Sequence, residues 1–451
     1  MRKLFGTDGI RGKANIWPMT TELIMQVGKA LAYAIKKKDH RHRVVVGKDT
    51  RLSGYMIETA LTSGICSMGV DVLLVGPLPT PGIAFITSNM RADAGVMISA
   101  SHNPYDDNGI KFFSKEGFKL PDEIEKEIEG LTINNEHIEK IRPIATEIGK
   151  AFRIKDAVGR YIVFLKNTLP KGMVLDGIKM VLDCAHGAAY RIAPMVFGEL
   201  GAKLELLGVS PNGLNINENS GALYPEAAQK RLIETGADFG LALDGDGDRA
   251  ILIDEKGQIL DGDRILAICA YYLSRYKLLK NQTIVGTVMS NFGLEMALNN
   301  WGLRLFRVPV GDRYVAEALA NGDYNLGGEP SGHIIFLNHH TTGDGILTAL
   351  QILAIMLSEN KPLSELSKLM ESVPQCLINV PVKRKPPFNS IPEIEKTVRK
   401  TKAVLEGNGR IVLRYSGTES LARIMVEGTN ESLINSLASN IAQAIRKKLG
   451  S

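Results

Sequence analysis

Cysteine is scarce in this chain of 451 residues, and the four present, Cys66, Cys184, Cys269 and Cys376, are scattered with no Cys-x-x-Cys pair. That spacing argues against a disulfide framework or a thiolate zinc site and fits reduced thiols in a cytosolic protein. No apolar run reaches bilayer-spanning length, and Met1-Arg2-Lys3-Leu4-Phe5-Gly6 turns polar before a signal-type core develops. A soluble, cytoplasmic protein with no membrane partner is expected. Dense blocks of like charge are also missing. The formal charge of +5 is mild, suits attraction of phosphorylated molecules and supplies no nucleic-acid tail. Without a Gly-x-x-x-x-Gly-Lys stretch in its candidate phosphate loop the chain gives no sign of an ATP site, and no Gly-x-Ser-x-Gly elbow surrounds its candidate serine.

The composition that remains is ordinary for a folded protein, 44% hydrophobic and 23% charged, and the length suggests about three or four domains. Amphipathic patterns such as Thr21 to Lys37 and Ile346 to Leu357 alternate with short apolar strands such as Arg43 to Val46 and Val72 to Val75. This rhythm predicts layered α/β domains. Joints are expected near Asn134 to Lys150, around Glu255 to Gly262 and from Lys383 to Pro392. A faint internal repeat aligns segments beginning at Ala92, Ala237 and Gly322. It makes Ser99, Asp244 and Glu329 equivalent, and likewise Ser101, Asp246 and Ser331, so three related domains would present matching loops to one cleft. After Gly407 the pattern changes to strand, loop, strand and helix, a smaller α+β domain with Leu433, Leu437, Ile441 and Ile445 as its core face.

The most informative phrase is Asp244-Gly245-Asp246-Gly247-Asp248-Arg249, following the apolar run Gly240 to Leu243. Three carboxylates at alternate positions can converge on one hard divalent cation. An EF-hand loop would explain Glu255 at position twelve, but it requires Gly where Arg249 stands and a helix where this chain reads as strand. A catalytic Mg²⁺ site at a strand-to-loop junction fits better.

Three further loops can carry chemistry. Ser99-Ala100-Ser101-His102-Asn103-Pro104 follows the strand Gly95 to Ile98 and offers a serine as nucleophile or phosphate carrier; an isolated stretch of this kind would as readily close a turn. On the returning strand, alternation sets Lys111 on the face opposite Ile110 and Phe112, either reaching the reacting oxygens or solvated. Gly327 to His333 combines Glu329, Ser331 and His333, paired acceptors and donors of the kind vicinal sugar hydroxyls need, or forms a Gly-rich turn. Arg414-Tyr415-Ser416-Gly417-Thr418-Glu419, with Arg423 beyond, suits a phosphate dianion or a plain β-turn. His339-His340 and Cys184 with His186 read as structural.

Taken in order, the serine loop, the aspartate loop, Gly328-Glu-Pro-Ser-Gly-His333 and Arg414 to Glu419 resemble the α-D-phosphohexomutases across nearly the whole chain. Phe5-Gly-Thr-Asp-Gly-Ile-Arg-Gly12, Ser99-Ala-Ser101 and Val310-Gly-Asp-Arg-Tyr-Val315 look like the bacterial branch acting on glucosamine phosphate. The resemblance implies three similar α/β units (1–153, 154–255 and 256–370) around a cleft and an α+β lid (371–451). It implies reversible conversion of glucosamine 6-phosphate to glucosamine 1-phosphate through a 1,6-bisphosphate, or the same chemistry on glucose or mannose phosphate; a non-catalytic phosphosugar binder is the remaining alternative. By similarity Ser101 is the phosphoserine, and with Asp244, Asp246 and Asp248 it holds Mg²⁺. Glu329, Ser331 and His333 face the sugar, while Arg414, Ser416, Gly417, Thr418 and Arg423 hold its second phosphate. His102 and Lys111 are the proton-handling candidates and Arg249 orients ligands or substrate. A sugar 1,6-bisphosphate serves as activator and intermediate. The partner is a phosphorylated hexosamine, with no nucleic acid, and a homodimer is allowed. Members of the branch commonly carry Gln where this chain has Pro330, so the sugar loop is expected to differ in detail.

Overall fold

The structure is a computed structural model that describes residues 4–6, 8–36, 40–416 and 420–450. Among them four sheets form. The first has seven strands in the order Phe5–Gly6, Gly9–Lys13, Asp107–Ser114, Ala94–Ile98, Arg43–Lys48, Asp71–Pro77 and Ala151–Arg153. The second runs Ile259–Leu260, Ala250–Asp254, Phe239–Leu243, Lys179–Asp183 and Lys203–Leu207. The third runs Arg304–Val308, Thr283–Thr287, Leu326–Gly328 and Ile334–Phe336. A three-stranded antiparallel sheet of Gln375–Pro381, Leu421–Gly428 and Gly409–Tyr415 forms the fourth.

Each of the first three sheets repeats one device. A strand that pairs in parallel on one side (Ala94–Ile98, Phe239–Leu243 or Leu326–Gly328) turns through a polar loop into an antiparallel partner. Residues of these strands are buried, so their backbones are paired on both edges and the first polar side chain emerges where the strand ends. That residue is Ser99, Asp244 or Glu329, as the internal repeat implies.

One apolar core runs continuously through the first three units, from Val45 through Leu243 to Met370, and a second fills the other face of the first sheet. The three loops are thereby fixed relative to one another. The helix Gly345–Glu359 belongs to the shared core, and Asp344 caps it by accepting from the N–H groups of Ile346 and Leu347, both at 3.0 Å. The fourth unit has a separate core under Glu431–Leu449.

Four expectations shift. The helix at Thr21 ends at Ile35. Lys383 to Pro392 lies inside the fourth unit, after its strand Gln375–Pro381, and so is not a joint. The second sheet continues past residue 255 to take in Ile259–Leu260, because the hairpin from Ala250–Asp254 returns to pair. On the last helix Leu437, Ile441 and Ile445 are buried, while Leu433 is exposed and Ile434 takes its place.

Candidate functional site

Ser101 occupies a left-handed backbone conformation (φ 53°) and is buried. Its hydroxyl donates to Asp244 Oδ2 at 2.7 Å and stands 3.3 Å from His102 Nδ1. Two groups absent from the sequence reading hold this loop. The buried Arg51 guanidinium donates to the carbonyls of Ser101 (3.0 Å), Asn103 (2.8 Å), Asp107 (3.0 Å) and Pro104, while Asp49 Oδ2 accepts from Arg51 Nε at 2.7 Å. Asn217, from the second unit, donates to the Ser101 carbonyl at 2.9 Å. The segment Gly47-Lys48-Asp49-Thr50-Arg51 at the end of a predicted strand was the available signal.

The aspartate loop closes a turn, Gly247 N–H donating to the Asp244 carbonyl at 3.0 Å. Gly245 is required by a close approach: a Cβ there would stand 2.6 Å from the Ser101 carbonyl oxygen. Asp244, Asp246 and Asp248 are all buried, with one ligand oxygen from each within 4.8 Å of the others. Asp246 Oδ1 and Asp248 Oδ1 have no hydrogen-bond partner. Burial and the charges of Asp248 and Asp246 raise the Asp244 pKa well above the carboxylate range. Crowded carboxylates with orphaned oxygens are what a divalent cation would satisfy, so these residues fit Mg²⁺. Glu255 accepts from Ser364 instead, which leaves it outside this loop.

Lys111 is buried on the side of its strand away from Ile110 and Phe112, not solvated. Its amine lies 2.8 Å from Asp246, 3.3 Å from Asp248 and 3.4 Å from Asp8. Burial opposes its charge, but Asp246, Asp8 and Asp248 overcome that and raise the pKa well above the lysine range. Burial likewise pushes Asp248 up, yet Lys111 and His333 hold it well below the usual range. Burial, with Arg249 and Arg11 nearby, lowers His102 to about 4, so this ring is neutral at physiological pH. Thr80 completes the support by donating to Asp246 Oδ2 at 2.6 Å.

Ser101, His102, Asp248, Arg249, Glu329 and His333 line one cleft of about 490 Å³, joined by Asp8, Arg11 and Asp312, which the sequence reading missed. Cations and carboxylates face each other across it, a lining suited to a polar anion. Glu329 Oε1 accepts from Gly311 N–H at 3.1 Å. The loop after Gly328 is a turn closed by Gly332 N–H to the Glu329 carbonyl at 3.1 Å. Pro330 sits at its second position, where proline's fixed φ is favourable. The Ser331 hydroxyl is buried without a hydrogen-bond partner.

His333 is buried, and its ring is engaged on both sides. Its Nε2 accepts from Gly343 N–H at 3.1 Å and Nδ1 lies 3.6 Å from Asp248. Burial opposes protonation and Asp248 raises the pKa overall, but the Gly343 N–H needs a lone pair on Nε2; we therefore assign the proton to Nδ1. In this arrangement the ring faces the aspartate loop through Nδ1 while it lines the cleft.

Arg414 and Arg423 stand directly opposite each other on the fourth sheet, and burial together with Arg423 lowers the Arg414 pKa. Ser416 follows, its carbonyl accepting from Lys385 Nζ at 2.7 Å. These three lie outside the cleft lining, and Gly417 and Thr418 fall outside the described residues. Among the described residues no helix is long and apolar enough to cross a membrane.

Four unit-sized family models match in order: phosphoglucomutase/phosphomannomutase alpha/beta/alpha domain I over residues 2–139, domain II over 160–257, domain III over 261–373, and the C-terminal domain over 377–444. The fold is thus that of an α-D-phosphohexomutase, and the chain belongs to the phosphoglucomutase/phosphomannomutase family. Among its relatives, the phosphoglucosamine mutase of Syntrophotalea carbinolica is 61% identical over 100% of this chain and 98% of the relative. That of Myxococcus xanthus is 57% identical over 99% and 98%. A phosphoglucomutase/phosphomannomutase family protein from Burkholderia thailandensis shares the fold at a TM-score of 0.80, with 23% identity and 99% of both chains covered. Aspergillus fumigatus N-acetylphosphoglucosamine mutase, solved with GlcNAc-6P and magnesium, does so at 0.68, with 18% identity over 99% of this chain and 96% of that one.

Proposed function

We propose that this chain interconverts glucosamine 6-phosphate and glucosamine 1-phosphate by passing a phosphoryl group through Ser101. The observation that carries the reading is the 2.7 Å contact of Ser101 Oγ with Asp244, inside a cleft lined by Arg11, Arg249 and Glu329. A pure binder has no use for a serine aimed at three aspartates. The choice of sugar is supported by the full-length relatives, named phosphoglucosamine mutase.

Phosphorylated Ser101 gives its phosphoryl group to the sugar's free O1. The P–Oγ bond breaks, a P–O1 bond forms, the O1 proton passes to a base, and the leaving Oγ takes up a proton, which it gives up again when it is rephosphorylated. His102, held neutral, and the Lys111 amine are the two candidate acceptors; the carboxylates around Lys111 keep it protonated in the arrangement seen. The 1,6-bisphosphate turns around, its 6-phosphoryl group returns to Ser101, and O6 takes back a proton. When bound at Asp244, Asp246, Asp248 and a Ser101 oxygen, Mg²⁺ neutralises charge on the phosphoryl group. Arg249 orients the substrate, Glu329 and Ser331 meet its hydroxyls, and Arg414, Ser416 and Arg423, with Gly417 and Thr418, hold the non-reacting phosphate.

The test is mass analysis after incubation with Mg²⁺ and a sugar 1,6-bisphosphate. Wild type should gain one phosphoryl group on the peptide containing Ser101, and Ser101→Ala should gain none and lose turnover while keeping its melting temperature. Near wild-type turnover by Ser101→Ala would contradict the assignment.

A further inference from the structure

The stretch Val310 to Val315 sets this chain within its branch, yet the chemistry above makes no use of Asp312 or Arg313. Gly311 leads into the helix Asp312–Asn321 at φ 135°, a conformation that favours glycine, and Asp312, the first residue of that helix, lines the cleft. Asp312 pairs with Lys119 of the first unit, and Lys119 pairs in turn with Asp8. Arg313 reaches Asp122 and Glu125, on the helix Asp122–Ile133 of that same unit.

These residues stand in a ring, closed between Asp312 and His333 by proximity alone, since the Nε2 that faces Asp312 already accepts from Gly343 N–H. Lys111 lies 3.4 Å from Asp8, Asp8 and Asp312 both hold Lys119, Asp312 lies 3.9 Å from His333, His333 lies 3.6 Å from Asp248, and Asp248 returns to Lys111 at 3.3 Å. All six residues are buried or half-buried, where an unpaired charge is costly. Lys119 is the cation between two carboxylates from different units. Without it Asp8 and Asp312 would repel each other across the seam, and Asp8 would lose its fixed place beside Lys111.

We propose that Lys119 and Asp312 are positioning residues: their ion pair clasps the third unit onto the first and, through Asp8, holds Lys111 against Asp246 and Asp248 during phosphoryl transfer. This rests on the mutase reading. Neither residue need touch the reacting phosphoryl group, so their loss acts on the chemical step more than on substrate binding.

The experiment is steady-state mutase kinetics on the full chain with Mg²⁺ and sugar 1,6-bisphosphate, with melting temperature recorded for each variant. Lys119→Met and Asp312→Asn should each lower kcat about tenfold or more, with KM changed less than about threefold. The double variant should be no worse than the poorer single variant by more than about twofold, because both remove one interaction. Lys119→Arg should recover kcat to within about threefold of wild type. If Lys119→Met melts too low to assay, Lys119→Gln, which keeps donors but no charge, takes its place. Losses that multiply in the double variant, a change confined to KM, or an Arg variant as poor as Met would overturn the proposal. Ratios are taken on whichever of glucosamine, glucose or mannose phosphate wild type turns over fastest. A wrong sugar assignment then shows in the wild type alone, and wild type inactive on all three would sink the mutase reading and the clasp's catalytic role with it.

Discussion

The Ser101 hydroxyl donates to Asp244 across 2.7 Å, although the two residues are 143 positions apart and follow strands of different sheets. The approach depends on Gly245, which leaves room for the Ser101 carbonyl, and on Asn217, which ties that carbonyl to the second unit. The Ser101 loop and the aspartate loop are therefore one site, set by the shared core beneath them.

That crowding separates stability from activity at Asp244. A buried acid whose folded pKa is raised costs stability once the pH exceeds its unfolded pKa, because only the unfolded chain ionises freely. Asp244→Asn should therefore melt no lower than wild type in metal-free buffer at pH 7, yet show turnover reduced about a hundredfold or more and a weakened response to added Mg²⁺. A thermal scan and an Mg²⁺ titration check both halves; an unchanged titration would take Asp244 out of the metal site.

Arg51 is a stability element with a functional address. Truncating it leaves Asp49 buried without its cation and several loop carbonyls without donors. Arg51→Met should cost about 3 kcal/mol or more in urea unfolding. Lys at the same position should fail to restore it, since one ammonium cannot reproduce a planar fork. A Lys variant of wild-type stability would contradict this reading.

His340 gives the acid limb of stability a specific source. Its ring is buried, facing the Pro81 carbonyl through Nε2 at 2.9 Å and accepting from Thr342 N–H at Nδ1, and burial lowers its pKa from the usual 6.5 to about 4. Between those values the unfolded chain binds a proton that the folded chain does not, so stability falls as pH falls through the window. The gap is worth about 3 kcal/mol, at about 1.4 kcal/mol per pH unit. Melting temperatures from pH 7 to 4 should fall less steeply for His340→Asn than for wild type; parallel curves would assign the loss elsewhere.

Arg414→Ala should raise KM for the sugar phosphate about tenfold or more while leaving Ser101 phosphorylation by bisphosphate detectable. Unchanged steady-state kinetics would remove Arg414 from the substrate's path.

Repetition was the legible part of this sequence. Ser99, Asp244 and Glu329 follow homologous strands, and a strand buried on both faces announces itself by composition alone. Lys111 was legible through period-two alternation against Ile110 and Phe112. Arg51, Asp8, Lys119 and Asp312 were not, because a charged residue reads as surface until its partner is known, and Asp312 lies 193 positions from Lys119. The contacts of His333 with Asp248 and Gly343 were hidden for the same reason, being tertiary. Lys383 to Pro392 looked like a joint because polar connectors within a unit and between units have the same composition.

The central claim is tested most directly by a coupled mutase assay with Mg²⁺ and catalytic sugar 1,6-bisphosphate, comparing glucosamine, glucose and mannose phosphates on one preparation. The account predicts a strong preference in kcat/KM for glucosamine phosphate. Preference for glucose or mannose phosphate would contradict the substrate assignment, and absence of turnover on all three would contradict the mutase reading itself.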